Sequence, residues 1–110
     1  MTHSPRFPGA QYAVIFSSQA GPDRTGYDRA DQITLERALQ WPGMVGYESV
    51  KDGQGRSIFI SYWDSMESIR AWREDVVHRE AKSNAGTWYS AYHSIIAKIE
   101  HQSEYNTEQL

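Results

Sequence analysis

Side-chain chemistry needs a proton acceptor, a charge to meet the charge it creates, and room for the reacting molecule. His78 is the best general base in this sequence, because an imidazole titrates nearest neutrality. Arg73 and Arg79 bracket it and could hold an anion. Trp63, Trp72, Trp88, Tyr89 and Tyr92 could wall a cavity suited to a flat aromatic ligand. Each assignment has a plain structural alternative. Rings at strand or helix spacing commonly belong to the core. His78 could be a polar residue at a helix break, and the two arginines could be solvated or paired to Glu74 and Glu80.

Other chemistries are poorly served. Four histidines are present, His3, His78, His93 and His101. His93 and His101 share a strand face but are separated by about 26 Å at strand rise, so one chain cannot bring them to one ion. No His-x-His, His-Glu-x-x-His or carboxylate cluster occurs, and the expectation is no metal and no cofactor. Gly21 and Gly26 have nucleotide-loop spacing, but Tyr27-Asp28 stand where Lys-Ser/Thr is required. No serine lies in a Gly-x-Ser-x-Gly elbow. The acidic residues Asp23, Asp28 and Asp31 suit a helix N-terminus rather than catalysis.

The chain that must position these groups has 110 residues and reads as one domain. A net charge of −3 argues against a nucleic-acid partner, which would call for a basic face. Absence of cysteine removes disulfides and thiolate chemistry. Four Trp, seven Tyr and three Phe concentrate the apolar surface of an otherwise polar chain in a few rings. No run of 18 apolar residues suggests a membrane span, and the opening residues lack the apolar core of a secretory signal, so a cytoplasmic address is expected. Pro5, Pro8 and Gly9 mark residues 1–10 as a mobile lead-in. Residues 11–101 form the domain, and 102–110 a polar tail that frays unless a partner holds it.

Patterning predicts a strand over 12–18, apolar on both faces, and a helix over 25–40 opened by a Thr25–Asp28 capping box. Tyr27, Ala30, Thr34, Ala38 and Trp41 form the helix stripe, widened by Leu35 and Leu39, and Pro42-Gly43 stops it. Strands follow over 44–51 and 56–63, joined by Asp52-Gly53-Gln54-Gly55, a hairpin signal. Asp64-Ser-Met-Glu67 caps a second helix, whose inward face is Met66, Ile69, Trp72, Arg73, Val76 and Val77. It continues past a break near Asp75 to about residue 84, with Gly86 ending it. A last strand spans 92–101, with Ile95, Ala97 and Ile99 on one face.

The order is β-α-β-β-α-β, the ferredoxin-like α+β pattern, with an antiparallel sheet and both helices on one face. Ile58, Ile60 and Tyr62 set against Phe59 and Trp63 leave apolar residues on the other face too. The simplest solution is a symmetric homodimer, sheet against sheet. Tyr12, Phe16, Phe59 and Tyr62 are assigned mostly to the sheet and this dimer face, and His93 to the dimer face.

The run Pro42-Gly43-Met44-Val45-Gly46-Tyr47-Glu48-Ser49 resembles the PGF-x-G-x-E opening of strand two in antibiotic biosynthesis monooxygenase (ABM) domains. Residues 61–72, SYWDSMESIRAW, are similar to the strand-three exit and helix start of that family. His78-Arg79-Glu80-Ala81, Gly86 and Trp88-Tyr89 are similar to the segment that follows. The resemblance spans roughly residues 12–100 and implies a dimeric α+β barrel of two ferredoxin-like subunits. It also implies a cofactor-independent monooxygenase acting on a small electron-rich aromatic of phenol, anthrone or quinol type. In such an enzyme the deprotonated substrate supplies the electrons, and the protein a base, an anion stabiliser and a largely dry aromatic pocket. One branch of the family degrades heme with an Asn on strand one, a Trp and an axial His. Here those positions fall at Ser17 or Ser18, at Trp72, and at Lys82, whose ammonium has no lone pair to give iron. A heme-binding member and a non-catalytic small-ligand-binding or stress-related dimer stand as the alternatives.

Overall fold

The computed structural model describes residues 5–105 and 107. His3 and the ends of both expected tails lie outside that set, as do the side chains of Val76 and Val77. The elements are β1 (Tyr12–Ala20), α1 (Tyr27–Leu39), β2 (Met44–Lys51), β3 (Arg56–Trp63), α2 (Met66–Glu74), α3 (Val76–Ser83), α4 (Ala85–Trp88) and β4 (Tyr89–Lys98). The four strands form one antiparallel sheet in the order β2-β3-β1-β4, the ferredoxin-like arrangement.

Register decides which side chains share a face. Tyr12 pairs with Trp63 and Lys98, and Ser18 with Ser57 and Tyr92. Tyr12, Val14, Phe16 and Ser18 therefore lie beneath the helices, together with Phe59, Trp63, Tyr92 and Ile96. Ala13, Ile15, Ile58, Ile60, Tyr62, His93 and Ile95 lie on the opposite face. Of the four rings expected at a dimer face, only Tyr62 is on that side. Tyr12, Phe16 and Phe59 share the parity of Trp63 and are drawn under the helices with it.

The core is small and ring-rich. Ala38, Trp63, Ile69 and Trp72 are buried, with Tyr12, Val14, Trp41, Met44 and Met66 packed around them. Trp63 is 1% exposed, and its indole Nε1 donates to Ser61 Oγ at 2.8 Å, which satisfies both buried polar groups. Leu39 is 48% exposed rather than part of the α1 stripe, because Ala38 holds the inward position at that turn.

Several boundaries differ from the sequence pattern. No Thr25–Asp28 box forms: Asp23 accepts from the Thr25 amide at 3.0 Å, and Gly26, at φ 80°, is the N-cap. At α2 the cap is Ser65, whose hydroxyl accepts from the Ser68 amide at 3.1 Å, and Asp64 instead accepts from the Ser68 hydroxyl. Asp75 breaks the second helical stretch at ψ 139°. Its carboxylate accepts from Arg37 Nε and a terminal guanidinium nitrogen at 2.8 Å each, tying the break to the end of α1. Arg73 consequently faces solvent rather than the core. Gly86 lies inside α4 rather than ending a helix, and β4 begins three residues earlier than the sequence pattern suggests, so Tyr89 is a strand residue. The Asp52 hairpin forms, with Asp52 Oδ1 accepting from the amides of Gln54 and Arg56.

The helices do not cover the whole sheet. α1 lies against β2 and α2 against β3, while α3 packs on α1 and α2. The helix-side row of β4 is left open, with Tyr92 50% and Ile96 37% exposed.

Candidate functional site

The residues singled out from sequence fall into two groups. His78, near the start of α3, lies with its ring centroid 5.0 Å from that of Trp72. Trp72 in turn meets Trp41 edge-on at 5.3 Å and Trp63 at 6.5 Å. His78 Nδ1 is buried without a hydrogen-bond partner among the described residues. Burial is the main force holding this imidazole below the ordinary histidine value. The charges of Lys82 and Arg73 push the same way, while the Arg73 backbone and Asp75 oppose them. His78 is thus an imidazole that burial biases toward the neutral form, with Nδ1 lacking a hydrogen-bond partner among the described residues and an indole against its ring. Arg73 and Arg79 are both exposed, on α2 and α3.

Trp88, Tyr89 and Tyr92 form the second group, around Phe16 and Tyr27. Tyr89 meets Phe16 edge-on at 5.4 Å, and Tyr92 stacks on Phe16 at 5.6 Å. Trp88 is buried, and its Nε1 donates to the Thr25 carbonyl at 2.8 Å, anchoring the β1–α1 loop. Burial, and next the neighbouring Tyr27 hydroxyl, push the Tyr89 phenol up.

A cation enters this second group that the sequence reading did not select. The Arg24 guanidinium lies 3.6 Å from the Tyr27 ring centre and 5.2 Å from that of Tyr89. It also donates to the Trp88 carbonyl at 2.8 Å. Beside it is a cavity of about 220 Å³ whose lining includes Ser18, Arg24, Tyr27, Lys51, Arg56, Ser57 and Tyr89. The topology carried a usable signal. In this fold the β1–α1 loop and the β2–β3 hairpin meet at one end of the sheet, which places Arg24 beside the two cations flanking Asp52–Gly55.

A larger hollow of about 390 Å³ lies on the open face, where Phe7 stacks on Tyr62 at 4.0 Å. Arg6 bridges Glu48 and Glu104 there. Burial first, and then the hydrogen bond to Glu48, push the Tyr62 phenol up to about 12. Among the described residues no group of three His, Asp or Glu could hold a metal ion, and no helix is long and apolar enough to cross a membrane.

No protein-family model matches the chain. Protein YqjZ of Bacillus subtilis (strain 168), itself uncharacterized, is 41% identical over 92 residues, covering 83% of this chain and 81% of YqjZ. A candidate antibiotic biosynthesis monooxygenase from Nitrosomonas europaea superposes with a TM-score of 0.72 at 15% identity, over 86% of this chain and 95% of its own. SnoaB, a cofactor-independent oxygenase from Streptomyces nogalater, superposes with a TM-score of 0.72 at 7% identity, over 84% of this chain and 96% of its own. Identities this low establish the fold and leave the chemistry to the site. The chain belongs to the family of YqjZ, and its fold is that of the ABM-type ferredoxin-like domains.

Proposed function

We propose that the protein is a cofactor-independent oxygenase acting on a small electron-rich aromatic of phenol, anthrone or quinol type. The observation that carries this reading is His78, whose pKa burial lowers, with Nδ1 lacking a hydrogen-bond partner among the described residues and Trp72 against its ring. In this reading a local opening at α3 exposes the buried Nδ1, which accepts the proton of the acidic substrate, and the substrate anion gives its electrons to molecular oxygen. For a reactive methylene the balance is CH2 + O2 → C=O + H2O. The carbon loses two hydrogens, one oxygen atom becomes the carbonyl, and the other leaves as water. The flat surfaces at the imidazole are indoles: Trp72 lies against the ring, and Trp41 and Trp63 pack on Trp72. Arg73, at the end of α2, and Arg79, on α3, flank His78 in sequence, and both are exposed and available to an anion at the rim. That SnoaB pairs this fold with cofactor-independent oxygenation supports the reading.

Oxygen uptake with anthrone and hydroquinone in metal-free buffer tests it. The His78→Ala variant is expected to lose about 100-fold or more in rate, the usual contribution of a general base. Equal rates would remove His78 from the mechanism. The pH profile supplies a second check. The active form is the unprotonated imidazole, and its pKa lies below the ordinary 6.5. The rate of the wild type should therefore hold through that value and fall only at lower pH.

The same reading includes a homodimer formed through the open sheet face. Val50, Ile58 and Ile95 on that face are 66%, 38% and 42% exposed, a row of aliphatic surface that a second copy would cover. Light scattering should give twice the chain mass, and Ile95→Arg should halve it. A wild-type protein with the mass of one chain counts against the dimer.

A further inference from the structure

The cavity beside Arg24 lies at the other end of the sheet from Trp63. Ser57 and Trp63 are at opposite ends of β3, about 20 Å apart at strand rise. Its chemistry also differs from that around His78. Its lining carries Arg24, Lys51 and Arg56, and no carboxylate. Asp31 lies close enough to feel Lys51 and Arg24, and the desolvation of its own carboxyl is the larger effect on it. Positive charge is therefore in excess around the opening.

Arg24 and the closed hairpin are positioned by the protein's own contacts. Arg24 is held by the Trp88 carbonyl and the Tyr27 ring, which leaves further N–H groups on the guanidinium fork. Lys51 and Arg56 flank the Asp52 turn, whose Oδ1 accepts from the Gln54 and Arg56 amides. Gly55, at φ 88°, lets the hairpin close down: a Cβ there would meet Gln19 Nε2 at 2.8 Å and Ala20 Cβ at 3.2 Å. Tyr27 and Tyr89 supply ring surface. A volume of about 220 Å³ falls below the ~300–1,000 Å³ of sites for drug-sized ligands, which limits the occupant to about one ring.

We infer that this cavity is a binding site for a single-ring aromatic carboxylate, its carboxylate held by Arg24, Lys51 and Arg56 and its ring set against Tyr27 and Tyr89. The planar fork of an arginine matches a carboxylate, and the tyrosine rings match a flat apolar body, so the lining selects both halves of such a molecule. The site is independent of the oxygenase reading and does not use His78.

Titration calorimetry with sodium benzoate tests this, with benzamide as the uncharged isostere and inorganic phosphate as the ringless anion. Benzoate should bind saturably, and benzamide and phosphate at least about tenfold more weakly, since each lacks one half of the recognised chemistry. Lys51→Gln and Arg56→Gln are exposed substitutions that leave the fold in place, and each should weaken benzoate by about tenfold. Arg24→Gln should do the same or more, with circular dichroism confirming an intact fold. His78→Ala should bind benzoate as the wild type does, whatever it does to oxygen uptake. Four results would overturn the site: no saturable benzoate binding, equal binding of benzamide, equal binding of phosphate, or unchanged affinity in a Lys51→Gln/Arg56→Gln double variant.

Discussion

Trp63→Ala is expected to destabilise the domain by about 3–5 kcal/mol, the cost of emptying a fully packed indole site. Trp63 is 1% exposed, the more deeply buried of the two indoles in the cluster with Ala38, Ile69 and Trp72. Truncation also strips Ser61, itself 8% exposed, of the indole N–H that its hydroxyl accepts. A small domain holds only about 5–15 kcal/mol in total, so the variant should unfold at much lower urea. The measurement also separates two roles for this residue. A core tryptophan gives the full loss, whereas one lining a ligand space already touches a void and costs less to remove. A loss under about 1 kcal/mol would place Trp63 at a cavity wall.

Gly43→Ala is expected to cost about 3 kcal/mol, from two sources. At φ 92° the backbone occupies the left-handed region, which alone penalises an alanine by about 1 kcal/mol. The new Cβ would also run into the Ser68 side chain and the Asp64 carboxylate, adding the ~1–3 kcal/mol typical of overpacking. Those groups form the start of α2, where the Ser68 hydroxyl donates to Asp64 and accepts from the Ser65 hydroxyl, so the clash reaches the helix cap. Gly53→Ala is the control. Its φ is 79°, but nothing lies within 4 Å of the added carbon, so only the backbone penalty applies. Thermal unfolding of the two variants should therefore differ, and matching losses would rule out the clash.

The fold was largely legible because local signals agreed with one another. The Asp52 hairpin, the Pro42-Gly43 stop and the alternation in β3 all point to one strand order, and β2 and β3 fall at the expected bounds. Signals failed where one side chain had two possible partners. Thr25 reads as a cap, but Asp23 takes its amide first. Arg73 reads as inward only if the helix continues smoothly, and the extended Asp75 resets the face. The candidate site was legible in part for the same reason. The His78–Trp72 contact crosses that break, so no helical period announces it, and the orphaned Nδ1 is a property of packing alone. Arg24 was missed because its partners, Tyr27, Trp88 and Tyr89, include two residues more than sixty positions away.

The position of β1 in the sheet bears on how the chain comes off the ribosome. β1 is made first among the strands, yet it pairs with β3 on one edge and β4 on the other, joining Tyr12 to Lys98. Synthesis at ~5–20 residues per second leaves roughly 4–16 s between the end of β1 and the end of β4. Throughout that interval at least one edge of a strand carrying Val14, Ile15 and Phe16 has no neighbour to pair with. The nascent chain thus leaves its first apolar strand partly unpaired for longest, and a chaperone that shields short apolar segments would find a target there.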